Sequence, residues 1–598
     1  MKKSMFTILL LLAVVISTGA QMGQQMSAEQ LEKNLVLVDK PQAVPDAMKA
    51  GFDTISVDNC MALLTYLSSD LLEGRDTATR GYKLAADYAA SLFKIWGLKP
   101  AGDMPAQTRR FRSARGGAPA QAAKRTYFQE VVFRETSNVT GSMTLSRKKG
   151  AMEKSQVFKS GIDYSAMAAS AESLSAPVVF AGYGITEDSI KWNDFKNLDV
   201  KGKIVLILSE APGKDNPKSP FQENKELKDK YFRAAPAFQR ARMGGGFNKI
   251  QEINKLGPAA IIQVQNTGDD TGIYRQLASP RVPSDERPIN PEPRRRLSLI
   301  GQQGGMAFMR STVITISREI ADAILENSGH TIDDLKAQIE KNLKPASMEI
   351  PGTRLAIETK ADVRLIKCAN VLGLLEGSDP QLKNEVIVIG AHLDHLGHFG
   401  SYIYNGADDN ASGSVGVLAA ARAFSVNPVK PKRSILFALW TGEEKGLLGS
   451  RYYVSHPFFT AEKTPMYFNM DMISRAYDAS TFSRMERMFG TAGKELMGKI
   501  RLADFLTVNF TKGLDGLVRE ANQYIGLHLF LREAVEGRRG GGSDQASFAG
   551  VKIPYVYTMA ASTADYHQTS DSVEKVSGEL FAKACRLTYL VSFAAANK

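Results

Sequence analysis

Val386-Ile387-Val388-Ile389-Gly390-Ala391-His392-Leu393-Asp394-His395 is the stretch on which the fold turns. An apolar run of strand length, 386–389, leads through a glycine into a histidine, an aspartate and a second histidine. Unbroken apolar residues without polar alternation mark a strand buried on both faces, as in a parallel sheet covered by helices. Three runs downstream repeat the arrangement. Residues 435–440 are followed by Thr441-Gly442-Glu443-Glu444, residues 466–470 by Asp471, and residues 553–559 by a loop holding Asp565-Tyr566-His567. Gly406-Ala407-Asp408-Asp409-Asn410 stands directly before an apolar stretch, 411–424, that reads as a helix, and 578–595 reads as another. Strands and helices in alternation predict an α/β fold: a mostly parallel sheet flanked by helices.

Upstream the pattern differs. Residues 57–96 read as two helices, the second with Leu84, Tyr88, Leu92 and Ile95 on one face and Gly97 as its stop. Between them lies Ser69-Asp70-Leu71-Leu72-Glu73-Gly74-Arg75. Residues 101–125, rich in Ala, Gly and Arg, read as a loop. From about Phe128 short β-rich segments take over, with apolar runs at 178–180, 204–208, 260–264 and 313–316 and a polar excursion at 212–245. The expected organisation is a leader at 1–20, a loose lead-in at 21–50, a first portion of the main domain at 51–127, an inserted β-rich domain at 128–350 and the rest of the main α/β domain at 351–598.

The leader is read from Lys2 and Lys3, the short apolar run 6–16 and the small residues Thr18-Gly19-Ala20. Such a run is too short to span a bilayer, which takes about 20 residues. The expectation is export to the periplasm or the extracellular space, with no integral membrane segment. Three cysteines (Cys60, Cys368 and Cys585) exclude a disulfide framework. A net charge of +12 is spread thinly apart from short clusters at 109–115 and 294–296. Neither cluster alternates with aromatics, so the basic balance reads as solvated loops and not as a nucleic-acid surface.

Six of the seven histidines fall between 392 and 567. Taken singly, a Glu-Glu pair is solvated surface, an Asp-Asp-Asn before a helix is a cap, and a histidine after a strand is a hydrogen-bonded structural residue. Their conjunction is informative, because four groups lie just past the carboxyl ends of strands, the edge at which open α/β sheets bind ligands, and the fifth, 406–410, sits at a helix N-terminus, where the dipole favours anions. Histidines mixed with carboxylates suit zinc or a neighbouring first-row metal, whereas calcium and magnesium take all-oxygen shells. No Gly-x-Ser-x-Gly elbow, His-Glu-x-x-His helix or Walker loop is present.

These stretches, together with Glu443-Glu444-Lys445-Gly446-Leu447-Leu448-Gly449-Ser450 and Asn469-Met470-Asp471, resemble the co-catalytic zinc exopeptidases, the family of bacterial leucyl aminopeptidases and glutamate carboxypeptidase II. Gly182-Tyr183-Gly184-Ile185 and the run 198–206 resemble a protease-associated domain insert. The resemblance implies two zinc ions per chain. Asp409 would bridge them, with His392 and Asp471 completing one site and Glu444 and His567 the other. Glu443 would be the general base, and Asp394 would hydrogen-bond His392 from behind. Asp408 would be structural. Two cations about 3.5–4 Å apart would activate a shared water and polarise the scissile carbonyl of a peptide. Gln545, in Gly542-Ser543-Asp544-Gln545, departs from many relatives and bears on substrate preference. The implied activity is release of N-terminal amino acids. A carboxypeptidase or dipeptidase on the same scaffold, a single-zinc glutaminyl cyclase and a non-catalytic binding protein stay open as alternatives. Arg532, Arg538 and Arg539 are the cations that a carboxypeptidase would use to hold a terminal carboxylate.

Overall fold

The protein is represented by a computed structural model that describes residues 28–104, 124–160, 163–167, 172–232, 249–264, 295–300, 312–483, 498–535 and 541–598. The leader, the cluster at 109–115, and Arg538 and Arg539 lie outside the described residues.

All four apolar runs of the α/β region are neighbouring parallel strands. Ser434–Trp440 pairs with Val386–His392, that strand with Met466–Met470, and Met466–Met470 with Tyr555–Met559. On one side the end of the long strand Met348–Leu375 joins Ser434–Trp440 antiparallel. On the other, Phe505–Phe510 runs antiparallel to Tyr555–Met559, then His528–Glu533 parallel to it, then Leu35–Leu37 antiparallel at the edge. The segment expected to be a loose lead-in therefore contributes a strand to this sheet. It also contributes the helix Asp46–Asp53, where Gly51 N–H bonds Asn427.

The four parallel strands are buried on both faces, which is why they read as unbroken apolar runs. One face packs under the helices Gly413–Val426, Gly578–Asn597, Val57–Leu67 and Arg80–Ile95, in a single apolar cluster. The other face carries Trp440, Tyr467, Phe548 and Tyr453 in a second cluster beneath the short helices Leu448–Ser455 and Gln545–Gly550. Gly413–Val426 is apolar nearly all round, as a helix enclosed by its neighbours must be. Among the described residues no helix is long and apolar enough to cross a membrane.

The helix Arg80–Ile95, capped by the Thr79 side chain, buries a different face from the one its large residues suggest. Tyr82, Ala85, Ala86, Ala89, Ala90 and Phe93 face the core, whereas Leu84 and Ile95 are exposed. Small residues let the helix axis lie close over the sheet, and burial follows that close approach more than it follows residue size.

Phe128–Lys149 and Met348–Leu375 form an antiparallel ribbon over most of their length, and the intervening chain hangs from it. That chain has its own apolar cluster, separate from those of the main sheet. It is less purely β than expected. Ile204–Leu208 lies parallel between Glu172–Phe180 and Ala260–Val264, which in turn pairs parallel with Thr312–Ile316, and the helices Arg318–Leu325 and Ile332–Asn342 complete the core.

The start of Arg80–Ile95 rests on the turn Asp70–Arg75. A β-carbon added at Gly81 would lie 1.7 Å from the Leu72 carbonyl oxygen, backbone that cannot swing aside. Gly81→Ala is expected to lower the free energy of unfolding by about 1–3 kcal/mol, the usual cost of overpacking, as measured by urea titration.

Candidate metal centre

Each ligand-type side chain reaches the site from just beyond a strand or from the turn before Gly413–Val426. His392 ends its strand, Asp471 follows Met466–Met470, and Glu443 and Glu444 follow Ser434–Trp440. Asp408 and Asp409 lie in a tight turn, 407–412, entered through Gly406 in a left-handed conformation. A side chain at Gly406 would collide with the Asp409 carbonyl at 2.2 Å and the His395 ring at 2.4 Å, so only glycine lets the chain pass. The Asp409–Asn410 peptide is cis.

Asp409 is fully buried at the centre. His392 Nε2 lies 3.5 Å from one Asp409 oxygen and 3.5 Å from Asp471 Oδ1. His567 Nε2 lies 3.1 Å from the other Asp409 oxygen and 3.2 Å from Glu444 Oε1. Two atoms bound to one tetrahedral zinc at about 2.0–2.1 Å are themselves about 3.3 Å apart. Both halves of the cluster have that spacing, and the two oxygens of Asp409 point into different halves. His392 Nε2, His567 Nε2 and both Asp409 oxygens are buried with no hydrogen-bond partner among the described residues. Buried polar atoms are ordinarily satisfied, so this donor set fits a pair of metal ions.

The electrostatics agree. Burial pulls the His392 imidazole down, but Glu443 and Asp471 outweigh it and hold its pKa well above the ordinary value. Burial pulls His567 down as well, but Glu444 and Asp409 outweigh it and raise its pKa to about 10. Burial works to raise Glu444, yet His567 and His395 hold it well below the usual range. Protons on the histidines thus stand in for cations beside the buried carboxylates.

Asp394 acts differently from expectation. His392 Nδ1 is 3.0 Å from the Asp394 carbonyl oxygen, while the carboxylate stands 4.0 Å away. The backbone fixes the imidazole. The carboxylate accepts the amide N–H groups of Glu443 and Glu444 at 3.1 and 3.3 Å, and the Thr77 hydroxyl at 2.9 Å. It positions the Glu443-Glu444 loop. Asp408 accepts the Ser474 amide and hydroxyl, and Asp571 accepts the amides of Asp408 and Asp409, which anchors the central turn.

Two residues carry more than their sequence context suggested. His395 is fully buried with Nδ1 3.0 Å from Glu444 Oε1. The sequence shows it directly after Asp394 but does not show its partner. Asp544 is buried with neither carboxylate oxygen hydrogen-bonded among the described residues, and burial pushes it up to about 7. Gln545 is fully buried. It accepts from Asn469 at 2.8 Å, in a buried chain that continues through Tyr467 to Trp440. Arg532 lies on His528–Glu533 and is exposed.

Residues 370–591 match the model of Peptidase family M28. This segment belongs to that family. A probable leucine aminopeptidase 2 of Aspergillus oryzae (strain ATCC 42149 / RIB 40) is 35% identical over 136 residues, 23% of this chain and 25% of its own. Leupeptin-inactivating enzyme 1 of Streptomyces exfoliatus is 38% identical over 105 residues, 17% of this chain and 22% of its own. The chain thus spans about a quarter of these curated relatives. Among solved structures, an aminopeptidase from Aneurinibacillus sp. strain AM-1 aligns over 91% of this chain and 95% of its own, at 17% identity and a TM-score of 0.48.

Because zinc must displace protons held on His392 and His567, loading the M28 segment's site is expected to release protons. Titration calorimetry in buffers of different ionisation enthalpy should detect the release. Apparent zinc affinity should weaken as pH is lowered from about 8 to about 6.

Proposed function

We propose that the chain is an exported zinc aminopeptidase that removes N-terminal residues from peptides. The observation that carries this reading is the buried Asp409 carboxylate, whose two oxygens face His392 and His567 with no hydrogen-bond partner among the described residues. The family of residues 370–591 and the names of the matched relatives support it. Export rests on the sequence pattern of residues 1–20, and the chain between the ribbon strands is read as a protease-associated insert.

His392, Asp471 and Asp409 would hold one zinc ion, and Asp409, Glu444 and His567 the other. Bound there, the pair supplies Lewis-acid activation of water and of the scissile carbonyl. Glu443 lies within the cluster, its Oε2 4.0 Å from His392 Nε2. Its backbone is held by Asp394. It accepts the proton of the attacking water and returns it to the leaving amine. Adjacent Glu443 and Glu444 serve different ends because the turn sends their side chains apart, Glu443 Oε2 to 4.0 Å from His392 Nε2 and Glu444 Oε1 to 3.2 Å from His567 Nε2.

Attack from the N-terminus follows from charge. Carboxylates of Glu443, Glu444, Asp409 and Asp471 dominate the cluster and favour a free α-amine over a terminal carboxylate. The nearby cation Arg475 is engaged at 2.7 Å by Asp565.

Chelation should abolish hydrolysis of leucine p-nitroanilide, and zinc should restore it. Glu443→Gln should lower kcat by about 10²-fold or more while zinc content stays near normal. Glu444→Gln should also lower zinc content, and equal zinc loss in both variants would reverse the two roles. Acetylating a peptide's N-terminus should block hydrolysis while amidating its C-terminus does not. The opposite pattern would make the enzyme a carboxypeptidase.

A further inference from the structure

Three consecutive residues outside residues 370–591, Arg75, Asp76 and Thr77, touch the segments that carry His392, Asp409 and Glu444. Arg75 is fully buried. Its guanidinium donates to the carbonyls of Leu393 at 3.0 Å, Asn405 at 2.7 Å and Gly406 at 3.0 Å, and to that of Leu67. Its own carbonyl accepts His395 N–H at 3.2 Å. Thr77 donates to Asp394, the carboxylate that holds the Glu443 and Glu444 amides.

Asp76 stands between two cations from distant parts of the chain. One oxygen is 2.8 Å from Lys445 Nζ, on the residue after Glu444. The other accepts from Arg295 at 2.7 and 3.2 Å. All three side chains are largely buried, Asp76 at 15%, Lys445 at 12% and Arg295 at 23% exposure. Burial works to raise Asp76, and Lys445 and Arg295 outweigh it, so its pKa lies below the ordinary value. Arg295 precedes the strand Arg296–Leu299, which pairs with the ribbon strand Phe128–Lys149. Arg295 also donates to the Thr77 carbonyl and lies 3.6 Å from Glu135. Glu135 is itself bound by Arg364 of the other ribbon strand at 3.0 Å. A continuous line of alternating charge, Arg364, Glu135, Arg295, Asp76 and Lys445, thus runs from the ribbon to the Glu443–Glu444 loop.

We propose that Asp76 is a positioning residue that couples the region hanging from the ribbon to the catalytic loop, with Arg295 on one carboxylate oxygen and Lys445 on the other. Removing Arg295 frees Asp76 to shift, and Lys445 moves with it because a buried lysine follows its counter-charge. The loop that moves is closed by Gly446 and Leu447 N–H bonds to the Glu443 carbonyl, so base and ligand are displaced together. The importance of the displacement for catalysis rests on the roles given above to Glu443 and Glu444.

The test compares full-length wild type with Arg295→Gln, Arg295→Lys, Lys445→Gln and the Arg295→Gln/Lys445→Gln double variant, each first checked for an unchanged thermal midpoint. Amide hydrogen exchange over 443–449 in the metal-free protein should be about tenfold faster in Arg295→Gln and Lys445→Gln, and close to wild type in Arg295→Lys. Zinc affinity, read by chelator competition without substrate, should fall about tenfold in the same two variants. The double variant should lose no more than either single one. Unchanged exchange in Arg295→Gln, or losses that multiply in the double variant, would overturn the coupling. An inactive wild type with intact exchange differences would instead overturn the aminopeptidase reading and leave the coupling standing.

Discussion

The α/β region is arranged around one carboxylate that has no hydrogen-bond partner among the described residues. Asp409 is buried, its oxygens face histidines on both sides, and three more acidic groups crowd the same cluster. Gathering such charge away from water is costly unless it is compensated. In the absence of cations the compensation is protonic, which is why His392 and His567 are held above their ordinary range. Under the proposed function, metal ions would replace those protons.

The surrounding structure can be understood as the means of keeping that cluster from relaxing. Four parallel strands, closed on both faces by apolar clusters, end at the same edge and fix where His392, Glu443, Asp471 and the His567 loop begin. Backbone groups then do the fine placement. The Asp394 carbonyl orients His392, the Asp394 carboxylate grips two amides of the Glu443 loop, and Asp571 grips two amides of the Asp409 turn. A carboxylate that accepts backbone N–H groups is rigidly tied to the scaffold, so the ligands inherit the rigidity of the sheet.

The ribbon region adds a second layer of support through charge. It reaches the site through a sequence of ion pairs, exposed at Arg364 and largely buried from Glu135 onward, that ends on Lys445. Buried pairs of this kind contribute little net stability but define one arrangement among many. The N-terminal segment 69–77 is the junction at which the two layers meet, since Arg75 grips the ligand loops and Asp76 receives the ribbon.

Much of this was legible in the linear chain. The parallel core could be read from its unbroken apolar runs, because strands buried on both faces have no polar side to show. The clustering of His392, Glu444, Asp471 and His567 could be read from their repetition after strand ends, because strand ends restrict position. Other features depended on distance in space alone. The buried face of Arg80–Ile95 was set by close packing of alanines, against the pattern of its larger residues. The acceptor behind His392 proved to be a carbonyl, a group every residue carries and no sequence advertises. His395 meets Glu444 across 49 residues, and Arg295 meets Asp76 across 219. Sequence determines which groups are available and roughly where the sheet presents them. Only the tertiary fold decides which charges share a buried space, because that choice depends on three-dimensional packing and on the cost of leaving any of them alone.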